Sequence, residues 1–236
     1  MPHPDYLIYI LLALGIIASI AAGKLTPVAA ITAGIVGLMV FKGGGYTGII
    51  TLTVFFILGT AATGWKRKKK QQIGAADARK SGRTAGQVLA NGGVAALLGL
   101  LGWYSPEYKI LLTYMMAGSL AAATADTLSS EIGTITGRRF YNILTLKPDE
   151  RGLDGVISLE GTIVGIMGAT VIAAIFAGSY LWDIGTLWIV LAGFAGNTVD
   201  SVLGATLERR KVMGNNMVNF MNTLAGALIC WLLFRL

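Results

Sequence analysis

Residues 110–133 read ILLTYMMAGSLAAATADTLSSEIG, an apolar run that ends on Asp126, Ser129, Ser130 and Glu131. About 20 residues rising roughly 1.5 Å each cover the hydrocarbon core of a bilayer. A carboxylate in hydrocarbon costs at least about 2.5 to 3.5 kcal/mol on the lenient insertion scale, so such a group faces a wet cavity, a cation or a substrate. The stretch therefore predicts a membrane helix with a polar site at its inner end.

The rest of the chain has the same character. Of 236 residues, 54% are hydrophobic, 13% are charged and 32 are glycine, with a mean hydropathy of +0.67. This is far more apolar than a soluble domain, whose charged fraction is about a quarter. Eight runs qualify as spans: 6–22, 26–41, 46–64, 84–104, 110–128, 156–180, 184–207 and 217–236. They predict an all-α polytopic bundle of eight spans forming one integral membrane domain over 1–236. Within it lie three N-terminal spans (1–64), a basic loop (65–83) and a five-span core (84–236). The first run follows MPHPD, without the basic start of a signal peptide, and reads as a retained helix. Gly43, Gly44 and Gly45 read as a tight outer turn. The lone Cys230 excludes an internal disulfide.

Charge orients the bundle, because lysine and arginine in short loops stay cytoplasmic. With the loop KRKKKQQIGAADARKSGR inside, the eight-span count places sixteen of the nineteen basic residues on that face. Lys42, Lys109 and Arg235 fall on the other face, and both termini are expected outside.

The polar residues converge on the inner face. Asp126 and Glu131 close the fifth run, Asp154, Ser158 and Glu160 open the sixth, Asn197, Asp200 and Glu208 close the seventh, and Asn91 lies in the fourth. Asn215, Asn219 and Asn222 are spaced to share one face of the eighth. Carboxylates that converge among small residues call for a cation. With oxygen ligands only, no cysteine pair and a single His3, the cation expected is Mg2+, on Asp126, Glu160 and Asp200. Arg83, Arg138, Arg139 and Lys147 flank these motifs and are candidate phosphate ligands. The run 66–70 has the sign to meet polyphosphate as well, but reads first as an orienting signal that touches anionic lipid.

The motifs ADTLSSEIG, GLDGVISLEGT, DSVLGATLE and NNMVNFMNT, in this order, resemble the family of integral membrane proteins that includes the plant and cyanobacterial phytyl-phosphate kinases and the animal transmembrane protein nineteen. The resemblance covers 82–223, whereas the first three spans match only in hydropathy. It implies a phosphotransferase that moves a phosphoryl group from a nucleoside triphosphate, CTP, to a polyprenyl monophosphate carrying a phytyl, geranylgeranyl or similar chain. Asp126, Glu131, Glu160 and Asp200 would then be catalytic or metal-binding. Arg83, Asn91, Arg138, Arg139, Lys147, Asp154, Ser158, Asn197, Asn219 and Asn222 would hold the phosphates or line the site. Two other functions use the same features: a nucleotidyltransferase making a CDP-activated lipid, and a transporter with a carboxylate-lined site. The cytoplasmic membrane is the expected location, with lipids and nucleotide, not nucleic acid, as partners.

Overall fold

The computed structural model describes residues 5–73, 82–180 and 182–235. His3, and Asp77, Arg79 and Lys80 of the basic loop, lie outside the described residues. Most of each apolar run is helical: α1 (Tyr6–Ala21), α2 (Pro27–Gly64), a short α3 (Arg67–Gln72), α4 (Ala85–Tyr104), α5 (Lys109–Thr136), α6 (Leu159–Ser179), α7 (Ile184–Leu203) and α8 (Asn215–Leu233). A two-stranded antiparallel pair, β1 (Tyr141–Asn142) and β2 (Val156–Ile157), lies between α5 and α6.

Although α2 is one element, it is two antiparallel arms. Gly45 sits at φ 60°, ψ −149°, a conformation L side chains avoid. A Cβ on Gly37 would lie 3.5 Å from Ile49 and 4.0 Å from Leu52. A straight helix would hold those residues roughly 18 to 22 Å away. The chain therefore reverses at the glycine triplet, as the sequence predicts for Gly43 to Gly45.

Among the described residues, five helices are long and apolar enough to cross a membrane: α2, α4, α6, α7 with its continuation to Glu208, and α8. The 16-residue α1 is apolar but shorter. The more polar α5 falls outside that set yet forms the centre, packing against α2, α4, α6, α7 and α8. Its residues 116–125 are all buried. Small residues set these approaches: a Cβ on Gly226 of α8 would lie 2.5 Å from the Gly118 carbonyl oxygen, and one on Gly196 of α7 would lie 2.5 Å from the Ala122 Cβ. Close backbone approach of this kind replaces the hydrophobic driving force that lipid does not supply between helices.

Two boundaries differ from the sequence expectation. Helix α5 runs on to Thr136, so Ser129, Ser130 and Glu131 are helical and not past the span's end. The sixth run begins as strand β2 and turns helical only at Leu159, because Gly155 takes φ +70° and the Ser158 Oγ caps the helix by accepting from Gly161 N at 3.1 Å.

Candidate functional site

One end of the bundle holds a polar cavity of about 480 Å3. The C-terminal halves of α5 and α7, the end of the second α2 arm and the N-terminal turns of α4 and α8 all open onto it. Toward the other end, Met116, Leu120 and Ala121 of α5 are buried in the hydrophobic core. The polar cavity is therefore confined to one end.

Its acidic wall comes from the second half of the chain. Asp126 on α5 and Asp200 on α7 both line this side, close enough for their carboxyls to act on each other electrostatically. Asp200 Oδ1 is buried with no protein partner. Two carboxyls this close are compatible only if a proton or a cation offsets their charge. Glu208 and Asp154 also line this side. Glu208 is brought there by a π-helical turn, Gly204–Glu208, that continues α7, a distortion typical of functional sites. Gly155 makes the turn's packing feasible, since a Cβ there would collide with Ala205 and with the Ser201 carbonyl.

The facing wall is cationic and comes from the first 84 residues. Lys24, Arg67, Lys70 and Arg83 line it. Arg83 is fixed by its backbone: its N donates to Lys24 O at 2.9 Å and its O accepts from Thr26 N at 3.1 Å. Gly82 is needed for that join, because a Cβ would run into the Lys24 carbonyl. The Arg83 guanidinium donates to Thr63 Oγ1 at 3.4 Å. Burial holds it below its ordinary value, against the opposing pull of Glu131. Between the walls stands Glu131, whose Oε1 lies 2.8 Å from Thr63 Oγ1 and whose Oε2 accepts from Lys70 Nζ at 2.6 Å.

Of the residues expected from sequence, the cavity gathers Arg83, Asn91, Asp126, Glu131, Asp154, Ser158, Asn197, Asp200 and Asn219. Five do not line it. Glu160 lies two positions past Ser158, about 200° around the helix from the side that faces the cavity. Arg138 and Arg139 are exposed. Gly137 leaves the helix at φ −57°, ψ 136°, and Phe140, not the arginines, reaches the cavity. Lys147 is exposed in the loop beyond β1, beside Leu146 at φ 53°. Asn222 is fully buried, with neither side-chain atom hydrogen-bonded, and its Oδ1 would lie 2.9 Å from a Cβ on Gly196.

Of the expected metal set, Asp126 and Asp200 line the cavity and Glu160 does not, and among the described residues no group of three or more His, Cys, Asp or Glu is arranged to hold a metal ion. Lys24 and Gln87, outside the expected set, also line the cavity, as do Arg67 and Lys70 of the run 66–70. Only α3 geometry separates Lys70 from its neighbours in RKKKQQ: Lys70 is 2% exposed, whereas Lys68 and Lys69 face solvent.

The chain belongs to the family described as Integral membrane protein DUF92, whose model matches residues 10–227. It is 33% identical to the uncharacterized membrane protein sll0875 of Synechocystis sp., over 90% of this chain and 84% of that one. It is 34% identical to the uncharacterized membrane protein MJ0933 of Methanocaldococcus jannaschii, over 85% and 82%. It is also 30% identical to Protein VTE6, chloroplastic, of Arabidopsis thaliana, over 84% of this chain and 62% of that protein. No solved structure matches it. The family resemblance carried by the motifs is borne out.

Proposed function

We propose that this member of the integral membrane protein DUF92 family transfers the γ-phosphoryl group of CTP to a polyprenyl monophosphate, releasing CDP and the prenyl diphosphate. The observation that carries the reading is the single cavity in which a cationic wall faces the Asp126 and Asp200 pair, at one end of a membrane bundle. Phosphoryl transfer needs in-line positioning and neutralised charge more than covalent help. A transporter reading is less well supported, since the packed core around α5 occupies the bundle beyond the cavity.

An oxygen of the lipid phosphate attacks the γ-phosphorus while the bond to the β–γ bridging oxygen breaks, and its electron pair leaves with CDP. The lipid phosphate, with a second pKa of about 6 by analogy with phosphoamino acids, is already ionised near neutral pH, so no strong base is required. Arg83 holds phosphate oxygens through its planar donors. Asn91, Asn197 and Asn219 orient the polar groups beside them. Asn91 Oδ1 is buried without a protein partner and is free to accept from ligand. Glu131 is committed to Lys70 and Thr63 and positions cations instead of binding metal.

Magnesium fits the Asp126 and Asp200 pair. Mg2+ is commonly held by one or two carboxylates with substrate phosphates and water completing the shell, and the unpartnered Asp200 Oδ1 is a ready ligand. When bound it neutralises phosphate charge. A separate apolar groove between α2, α4 and α8, lined by Val36, Leu89, Phe220 and Met221, has the chemistry to take the prenyl chain. The same reading includes eight crossings, both termini outside and the cavity facing the cytoplasm.

Purified protein given a panel of prenyl monophosphates and labelled CTP tests the proposal. CDP and prenyl diphosphate are expected. Pyrophosphate with a CDP-lipid would assign a nucleotidyltransferase instead, and no consumption of CTP would refute both.

A further inference from the structure

The basic run 66–70 reads from sequence first as an orienting signal and second as a polyphosphate contact, and the structure divides it. Lys66 lies over the Trp65 ring at 4.3 Å, Lys68 and Lys69 are exposed, and Lys70 turns inward to 2% exposure. Its Nζ donates to Ala62 O at 2.6 Å and to Glu131 Oε2 at 2.6 Å, and Lys70 lines the cavity. A buried lysine is costly unless paired and hydrogen-bonded. A pair serving stability alone has weak physical justification, because well-packed apolar residues of the same volume often do as well or better.

We propose that Lys70 is a polyphosphate ligand, held in place by Glu131 and Ala62. An ammonium carries three donors, and the two bonds to Ala62 and Glu131 leave one that can address an anion in the cavity. Those two bonds fix the Nζ on the same wall as Arg83, so the lysine meets a phosphate without first ordering a flexible chain. Thr63 extends the arrangement, receiving from Arg83 and lying against Glu131. One carboxylate thereby sets the positions of two cations. Helix α3 is in this account part of the binding site, and the rest of the run remains topological. The inference rests on the reading of the cavity as a polyphosphate site, but not on which acceptor lipid is used.

The test uses purified full-length protein and inorganic triphosphate as probe, with affinity measured by calorimetry alongside the melting temperature. Lys70→Met is expected to weaken triphosphate binding at least tenfold and to lower Tm, since Glu131 loses its partner. In the double variant Lys70→Met/Glu131→Gln the stranded charge is gone, so Tm should recover while binding stays at least tenfold weak. Lys70→Arg should restore part of the affinity, and Lys68→Ala should match wild type. The proposal is overturned if the double variant recovers affinity together with Tm, if folded Lys70→Met binds within twofold of wild type, or if wild-type protein does not bind triphosphate. Triphosphate binding that depends on Lys70, without turnover on any prenyl monophosphate, would refute the kinase and leave the lysine's role standing.

Discussion

The two walls of the cavity are built by different means. The acidic wall, Asp126, Asp200 and Glu208, stands on α5, α7 and the π turn that extends it, elements packed through glycine and alanine at near backbone contact. The cationic wall, Lys24, Arg67, Lys70 and Arg83, stands on loops and a six-residue helix tied down by a few bonds: the join of Lys24 and Thr26 to Arg83, and the reach of Lys70 to Ala62 and Glu131. A carboxylate on a buried helix is placed by the fold, whereas a cation on a loop is placed by its partners. The acidic wall should therefore tolerate loss of a charge without loss of structure, and the cationic wall should be sensitive to small backbone changes.

The largest effect is expected at Asp126→Asn. The change preserves size and most hydrogen bonding, so Tm should hold or rise as a costly charge is removed. CTP turnover should fall by about 100-fold or more, in the range seen when a single charge-stabilising group is deleted. A fall in Tm with normal turnover per folded molecule would make Asp126 structural and erase the contrast between the walls. Next comes Gly82→Val, which places a side chain against the Lys24 carbonyl and displaces Arg83. Activity should drop about tenfold or more with only a modest loss of Tm, and unchanged activity would show that Arg83 needs no such fixing. A smaller effect is expected in the cap between α5 and α6. Asp149 accepts from Arg209 at 2.8 Å and from Asn142 at 3.1 Å, contacts that hold its carboxyl below the ordinary value, Arg209 most of all. A lowered folded-state pKa stabilises above the unfolded value of about 3.9 and is lost as pH falls through the folded value. Wild type should thus lead Asp149→Asn in Tm at pH 7, and the lead should vanish in strong acid. A lead that persists in acid would mean the latch does not depend on this charge. The smallest effects are expected at Arg138→Ala and Arg139→Ala, exposed and off the cavity. Turnover within twofold of wild type is the expected result, and a tenfold loss would place them in the site after all.

How much was legible follows the same division. Carboxylates inside apolar runs stand out because hydrocarbon penalises them, so Asp126 and Asp200 could be picked directly and their common depth followed from the span count. The glycine triplet at 43–45 was legible as a turn for the same reason that φ 60° favours glycine. Charges in water carry no such signal: Arg138, Arg139 and Lys147 looked as suitable as Arg83, and Lys70 looked like Lys68. Their separation depends on which way a loop leaves its helix and on long-range partners such as Glu131, 61 positions from Lys70. Glu160 and Asn222 do not line the cavity because of their azimuth. Residue spacing places a side chain on a helix face, but which face turns to the cavity is fixed by neighbouring helices. The π turn, invisible to a regular 3.6-residue period, moved Glu208 from the edge of the site into it.

In the proposed kinase, phosphoryl transfer belongs to the cavity that Asp126 and Asp200 line, and not to the carboxylates of the inner face in general. Its most direct test is side-by-side measurement of CTP turnover and Tm for Asp200→Asn and Glu160→Gln, two charge-removing, size-preserving changes made within the same apolar bundle. Both variants are expected to fold, Asp200→Asn to lose about 100-fold or more in turnover, and Glu160→Gln to stay within about threefold of wild type. Equal losses in the two, or a larger loss at Glu160, would contradict it.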